Sequence, residues 1–288
     1  MATTLSLSGG DPVAQVHKFT LPKVNRPPKL GKLMRTIYVS STSRSQVPVR
    51  KDKRKGKKSR KQEILPALLP SRFKDYYVQS ADETIMPIPQ HSYFNLYIAG
   101  PSGSGKSSFI ASWLKHCHDK WPKCKIYIFS PKDDDPAFAK IKPEPIYCKV
   151  DKDIVEEPMS IDEFEGTKSA PSIIIFDDIE ALDHGPISKA IETFQNQCLE
   201  TGRKSHISTI SVSHVLLNGL RTRKVINESR YITVFPGSNF SQIESYVKRY
   251  LGFGKEDVDF LKRVPSRWVM MHRDYPRYLV YETGVHLL

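Results

Sequence analysis

The octapeptide Gly100-Pro-Ser-Gly-Ser-Gly-Lys-Ser107 is the feature of this chain that most restricts its fold. It matches the pattern GxxxxGK[ST], follows the apolar segment Phe94-Asn-Leu-Tyr-Ile-Ala99 and precedes a predicted helix, Phe109 to His118. Between a strand and a helix, glycines allow the tight turn, and backbone N–H groups with the helix N-terminus bind phosphate oxygens. The pattern predicts a phosphate-binding loop made of Gly100, Pro101, Ser102, Gly103, Ser104, Gly105, Lys106, Ser107 and the following Ser108.

Two side chains of this loop are expected to carry its chemistry. The ammonium group of Lys106 reaches the β- and γ-phosphates of a bound nucleotide, and the hydroxyl group of Ser107 binds Mg²⁺. We therefore expect ATP and Mg²⁺ as cofactors, with Lys106 as a catalytic residue.

A second run, Ile173-Ile-Ile-Phe-Asp177-Asp178, is typical of a buried strand followed by two carboxylates. Ligands of open α/β sheets bind at the carboxyl ends of the strands, so this pair is expected beside the phosphate-binding loop. Asp177 is predicted to hold Mg²⁺, and Asp178 to orient and deprotonate an attacking water. Glu180 is the alternative base, and a surface turn after a core strand is the structural alternative.

Polar residues after the next predicted strand, Ile207 to Val212, leave two interpretations open. Ser213 either senses the γ-phosphate by a hydrogen bond or caps the N-terminus of a following helix. His214 is a poorer candidate for the general base, because Asp178 already fills that role.

Arginine side chains neutralise the charge that develops on a transferred phosphoryl group. Three arginines are candidates to reach the nucleotide of an adjacent subunit: Arg203, Arg221 and Arg223. We favour Arg203, which lies just before the strand that begins near Ile207.

The positive charge of the chain is concentrated at its N-terminus. Residues 1–61 contain 16 Lys/Arg and 2 Asp/Glu, a net charge of +14, whereas residues 62–288 contain 28 and 29, a net charge of −1. The run 50–61 alone carries nine positive charges. We expect a disordered basic tail over 1–61, a lead-in linker over 62–90 and an ATPase domain over 91–288. The tail is predicted to contact DNA, act as an import signal, dock an acidic partner or solubilise the chain.

The composition also restricts the location. No apolar run approaches the roughly 20 residues that a membrane-spanning helix needs, so we expect no membrane segment. The four cysteines form no CxxC pair, which favours reduced thiols in an intracellular protein.

Predicted strands and helices alternate from residue 94 onward, which favours an α/β fold with a mainly parallel sheet and helices on both faces. The segments Trp268 to Met271 and Tyr278 to Tyr281 are predicted to form a closing hairpin.

Longer segments resemble a known family. They are GPSGSGKS at 100–107, IIIFDD at 173–178, TGRKSHISTISVSH at 201–214, the stretch 217–236, and the closing residues 266–278. Over roughly residues 90–288 the chain resembles the genome-packaging ATPases of large double-stranded DNA viruses, of the poxvirus type, within the FtsK/HerA group of P-loop motors. It departs from cellular relatives at Ser213-His214, where these often carry glutamine.

The resemblance implies a RecA-like core that forms a homo-oligomeric ring and moves double-stranded DNA into a preformed capsid by ATP hydrolysis. It implies Lys106 and Ser107 at the nucleotide and metal, Asp177 at Mg²⁺, Asp178 as the catalytic carboxylate and Arg203 as the arginine acting in trans. The implied partners are DNA and a capsid or other virion assembly protein. The implied location is the assembly site of the host cell, in cytoplasm or nucleus, and the virion itself.

Three other functions stay open on the residues. They are another FtsK/HerA-type DNA motor, of conjugation or segregation, a P-loop kinase, and a non-catalytic basic DNA-binding scaffold. A second carboxylate next to Asp177 argues against the kinase, and intact Lys106 and Ser107 argue against the scaffold.

Overall fold

The computed structural model describes residues 2–6, 11–20, 29–42, 75–77, 83–132, 138, 141, 143–183, 185–238 and 240–288. The strands are β1 Ala2–Ser6, β2 Asp11–Thr20, β3 Lys29–Thr42, β4 Asp75–Tyr77, β5 Glu83–Pro87, β6 Asn95–Ala99, β7 Lys125–Ser130, β8 Ile146–Lys149, β9 Ser172–Phe176, β10 Ile207–Ser213, β11 Tyr231–Val234, β12 Val269–His272, β13 Tyr278–Tyr281 and β14 Gly284–Leu287. The α-helices are α1 Lys106–Lys120, α2 Asp153–Glu156, α3 Pro186–Thr201, α4 Gly219–Glu228, α5 Phe240–Tyr246 and α6 Lys255–Arg263. Short 3₁₀ turns cover Ile161–Phe164 and Ile179–Ala181, and a π-helical turn covers Val247–Leu251.

A ten-stranded sheet with the order β4-β14-β13-β12-β11-β6-β10-β9-β7-β8 organises the molecule. The six strands β11, β6, β10, β9, β7 and β8 are parallel to one another. The four strands β12, β13, β14 and β4 continue the sheet beyond β11, each antiparallel to the strand before it. The strand β10 lies between β6, which leads into the glycine loop, and β9, which leads into the paired acids. This order and the alternation with helices confirm the predicted RecA-like P-loop NTPase fold.

The central strands are covered on both faces. β6, β9 and β10 are buried along their whole length, as expected for parallel strands between two helix layers. On one face Ile173, Ile175 and Ile210 share a core with α1; on the other, Ile174 and Phe176 share a core with α3. Helices on both faces therefore fix the sheet and leave its carboxyl edge for the loops.

Strands that follow β6 in the sequence are added to the sheet on both sides of it. The next strand in sequence, β7, lies three places away from β6 on one side, whereas β11 lies directly beside β6 on the other. A crevice outside the carboxyl ends of the strands forms at such a switch point, because the two crossover connections leave in opposite directions. The glycine loop that follows β6 lies at this crevice.

The N-terminal segment differs from the sequence expectation. Instead of a disordered tail over 1–61 and a linker over 62–90, the strands β1, β3, β2 and β5 form a four-stranded antiparallel sheet, and β4 pairs with β14. Val13, Val16 and Ile37 are fully buried and belong to the same core as α1. The regional charge count missed them, because these few apolar residues gain their burial from tertiary contacts. The basic run 50–61 lies outside the described residues, and the limits of an independent ATPase domain stay a prediction.

The smaller sheet is joined to the larger one by a backbone contact. The Ile85 N–H of β5 donates a hydrogen bond to the carbonyl oxygen of Glu282, beyond β13, at 2.8 Å. Within the smaller sheet, the Ile88 N–H donates to the Val13 carbonyl oxygen at 3.1 Å. The strand β5 therefore belongs to the folded body and is not a linker.

At the C-terminus the predicted hairpin of β12 and β13 is confirmed, and β14 extends it. The helix α4 was not predicted, because it begins at Gly219 and buries only Thr222, Val225 and Ile226 between charged residues. In the part of the chain that the structure describes, every helix is too short or too polar to cross a bilayer.

Ile37→Ala tests the packing of the N-terminal sheet against the core. Because Ile37 is fully buried, the substitution is expected to lower the free energy of unfolding by about 2–5 kcal/mol in urea denaturation. The matched control is Leu33→Ala on the same strand, where the side chain is 44% exposed, with an expected change within about 0.5 kcal/mol. Equal, small effects of both substitutions would show that β3 does not pack as described.

Candidate active site

The glycine loop depends on backbone conformations that side chains disfavour. Gly103 and Gly105 have φ angles of 76° and 103°, in the left-handed region. At Gly100 the constraint is space, because a Cβ atom would lie 2.7 Å from the ring of Phe235. The sequence pattern thus requires glycine at position 105 for its backbone conformation and at position 100 for lack of space. The loop between these two residues is largely exposed at the carboxyl edge of the sheet.

Lys106 is the first residue of α1 and folds back over the loop. Its Nζ donates hydrogen bonds to the carbonyl oxygens of Gly100 at 2.7 Å and Pro101 at 3.2 Å. Burial lowers the pKa of Lys106, while the nearby carboxylates of Asp178 and Asp177 act in the opposite direction. The lysine of the loop and both acids therefore share one electrostatic environment.

The acids follow β9 at the same edge. The Asp177 N–H donates to the Phe129 carbonyl oxygen at 2.9 Å, which continues the pairing of β9 with β7. Asp178 then adopts a φ angle of 53°, an unusual conformation for a residue other than glycine. This turn ends the strand and holds the Asp178 side chain against the site, where it is only 12% exposed.

Two side chains, those of Lys132 and His214, hold the Asp178 carboxylate. Lys132, just beyond β7, forms an ion pair with Asp178 Oδ2, and His214 Nε2 lies 2.7 Å from Asp178 Oδ1. Burial alone would raise the pKa of Asp178, but the contacts with Lys132 and His214 outweigh it and hold the pKa below its usual value. Asp178 is therefore ionised and held in a fixed position at neutral pH.

His214 connects the acid to the glycine loop. Its Nδ1 lies 3.4 Å from Lys106 Nζ, while its Nε2 faces Asp178. The tautomer with the proton on Nε2 satisfies both contacts, because Nε2–H then donates to Asp178 and Nδ1 accepts from Lys106. A continuous chain of contacts thus joins the lysine after β6 to the carboxylate after β9.

The structure corrects one interpretation at the end of β10, the helix cap. Ser213 does not cap a helix: its Oγ donates to Glu180 Oε2 at 2.5 Å and accepts from the Val215 N–H at 3.1 Å, and the next helix begins at Gly219. Glu180 also accepts a hydrogen bond from the His214 backbone N–H. Glu180 therefore fixes the turn that carries His214, which makes it an anchor for that turn.

The donor set fits a magnesium ion held jointly with a nucleotide. Ser107 and Asp177 are half-buried at the same edge and offer a hydroxyl and a carboxylate oxygen. No cluster of three or more His, Cys, Asp or Glu residues suited to a metal occurs in the described part of the chain. Mg²⁺ commonly takes only one or two protein oxygens and completes its shell with phosphates and water, so this small set is sufficient.

The three candidate arginines lie in different places. Arg203 lines a cavity of about 360 Å³ at the amino edge of the sheet, opposite the glycine loop, so it cannot reach the site of its own chain. Arg221 lies near the acid loop instead, where its Nη2 is 3.2 Å from Glu192 Oε1 and 3.1 Å from Ser188 Oγ. Arg223 is exposed on α4. The sequence preference for Arg203 stays a prediction about a neighbouring subunit.

The sequence patterns did not predict the role of Lys132 or the bridging position of His214. Lys132 follows β7, which lies beside β9, so its place after a neighbouring parallel strand was a usable signal. The adjoining polar stretch obscured that signal, and the contact between Lys132 and Asp178 spans 46 residues of sequence.

One curated protein and several solved structures of low sequence identity are similar to this chain. No family model matches it. Among solved structures, the genome packaging NTPase B204 from Sulfolobus turreted icosahedral virus 2 in complex with ATP-gammaS is 11% identical, with 67% of this chain and 99% of that chain covered and a TM-score of 0.45. The monomer form of the pCW3 conjugation coupling protein TcpA with ATPgS is 13% identical, with 93% and 76% covered and a TM-score of 0.46.

A relative from a virophage is much more similar in sequence. It is the "Uncharacterized protein V3" of Sputnik virophage, 32% identical over 210 residues, with 70% of this chain and 81% of the relative covered. This chain therefore belongs to the same protein family as protein V3 of Sputnik virophage.

Proposed function

We propose that the protein is an ATP-hydrolysing motor that translocates double-stranded DNA into a viral capsid during virion assembly. The observation that carries the ATPase part is the chain of contacts from Lys106 through His214 to Asp178. It brings a phosphate-binding lysine and an ionised, fixed carboxylate to one edge of the sheet. Hydrolysis of a triphosphate needs both groups within reach of the same γ-phosphate.

The residues divide the hydrolysis step between them. When ATP binds, the backbone of the loop takes the phosphates, and Lys106 exchanges its bonds to Gly100 and Pro101 for the β- and γ-phosphate oxygens. Asp178 accepts a proton from the attacking water, whose oxygen forms the new bond to the γ-phosphorus while ADP leaves. Mg²⁺, held by Ser107 and Asp177, would neutralise charge on the β- and γ-phosphates.

Lys132 and His214 keep Asp178 ready for this role. An aspartate side chain is short, so its carboxylate must be held close to the water that it activates. The ion pair with Lys132 and the contact with His214 restrict it from two sides. His214 also contacts Lys106, so it links the phosphate-binding lysine to the carboxylate.

The DNA-packaging part of the proposal has separate support. Membership in a virophage protein family supports a viral setting, and the segments 201–214 and 217–236 resemble packaging ATPases. The near-neutral body requires a local DNA-binding surface, for which exposed Lys248, Arg249, Lys262 and Arg263 are available. We propose a homo-oligomeric ring with Arg203 acting in trans, a capsid or other assembly protein as its dock, and the assembly site of the infected cell as its location.

ATP hydrolysis measured with and without long duplex DNA tests the proposal as a whole. Strong stimulation by duplex DNA is expected of a translocating motor. Phosphate transfer to an added nucleoside would support a kinase instead. Absence of hydrolysis under all conditions would leave a non-catalytic DNA-binding scaffold, whereas unstimulated hydrolysis would contradict the motor and retain the ATPase.

Lys106→Ala is expected to abolish ATP hydrolysis while the fold is retained, because it removes the charge that stabilises the transferred phosphoryl group. Phosphate release and thermal unfolding are measured on the same preparations. Lys115→Ala, an exposed lysine on the same helix, is the matched control and keeps wild-type turnover. Normal hydrolysis by Lys106→Ala would refute the site.

Asp178→Asn is expected to keep ATP binding and to slow hydrolysis by about 10²–10⁴-fold, because the amide cannot accept a proton from water. Asp183→Asn, an exposed acid of the same loop, controls for the loss of one negative charge. Single-turnover hydrolysis and equilibrium ATP binding separate the two effects. Unimpaired turnover in Asp178→Asn would assign the base elsewhere.

A further inference from the structure

An open groove lies beside the glycine loop, on the side away from the acids. We call it the Phe235 groove; its volume is about 530 Å³. Its lining comes from the loop itself and from segments after β11 and before β12, together with one residue beyond β13. The lining residues are Pro101, Ser102, Gly103, Ser104, Phe235, Gly237, Ser238, Pro265, Ser266, Arg267 and Glu282. The volume lies within the range of small-ligand sites.

The order of the strands gives a bound triphosphate a direction. The acids follow β9, which lies beyond β10 on one side of β6, whereas Phe235 follows β11 on the other side of β6. A γ-phosphate next to Asp178 therefore places the α-phosphate, and whatever is attached to it, toward β11. The Phe235 groove is the cavity that a substituent on the α-phosphate meets there.

The groove is suited to a planar ring. The guanidinium group of Arg267 is held by Glu282, with Nε at 2.8 Å and Nη2 at 2.7 Å from Oε1. The Arg267 backbone N–H also donates to Glu282 Oε2 at 2.9 Å. A guanidinium group fixed at its edge keeps its face free to stack on an aromatic ring. Phe235 and Pro265 add apolar surface to the lining.

Two further features match a ligand that continues from the phosphates. A Cβ atom at Gly237 would meet nothing within 4 Å, so this part of the groove is open space. The Ser104 hydroxyl group is buried and has no hydrogen-bond partner among the described residues. A buried hydroxyl group without a partner is costly, and a rotation about the Cα–Cβ bond would let it reach a sugar or phosphate oxygen beside the loop.

We propose that the Phe235 groove binds the nucleoside part of the nucleotide, with Arg267 stacked on the base. This inference rests on the proposed ATPase function, because it assumes that the glycine loop holds the phosphates. On this proposal, contacts in the groove make the site prefer a nucleotide to a bare phosphate chain.

Binding of ATP and of inorganic tripolyphosphate to the full chain separates the groove from the loop. Arg267→Ala removes the stacking face, and Gly237→Leu fills the open space. Each is expected to weaken ATP binding about tenfold and to leave tripolyphosphate binding unchanged. Lys168→Ala, an exposed cationic residue outside the groove, is the matched control and changes neither. Thermal unfolding checks that each variant is folded.

The outcomes distinguish the two proposals. If the wild type binds both ligands and neither variant changes the ratio of their affinities, the groove inference is wrong and the phosphate site stands. Equal weakening of both ligands in both folded variants also contradicts the groove. If the wild type binds neither ligand, the proposed function fails and this inference fails with it. Selective loss of ATP in both variants supports the groove.

Discussion

The imidazole ring of His214 is the contact on which the rest of this site depends. It lies between Lys106 Nζ and Asp178 Oδ1, at 3.4 Å and 2.7 Å, and so joins two segments that are about seventy residues apart in the chain. Its backbone N–H is held by Glu180, which fixes the turn after β10. Because β10 lies between β6 and β9, a side chain from its end is the natural bridge between the loop and the acids.

The buried parallel sheet makes this arrangement possible. β6, β9 and β10 are covered on both faces, so their carboxyl ends are fixed relative to one another, and the loops that follow them meet at one edge. The same order separates two sides of the glycine loop. The acid side carries Asp178, and the opposite side carries the Phe235 groove. A single strand order thus specifies both the place proposed for hydrolysis and the place proposed for the nucleoside.

The sequence predicted local features well and long-range contacts poorly. The glycine loop, the central strands and the hairpin of β12 and β13 were predicted because each has a strong local pattern. The N-terminal sheet was missed because Val13, Val16 and Ile37 become buried only through contacts with distant parts of the chain. The ion pair of Lys132 with Asp178 was missed for the same reason. The roles of Arg203 in a neighbouring subunit and of Asp177 at Mg²⁺ stay predictions.

A structure determined with a non-hydrolysable ATP analogue and Mg²⁺ tests the central claim most directly. We expect the γ-phosphate beside Lys106 with Asp178 facing it, Mg²⁺ on Ser107 and Asp177, and the base against Arg267. An analogue bound away from the glycine loop, or a γ-phosphate that points to the β11 side of β6, would contradict it.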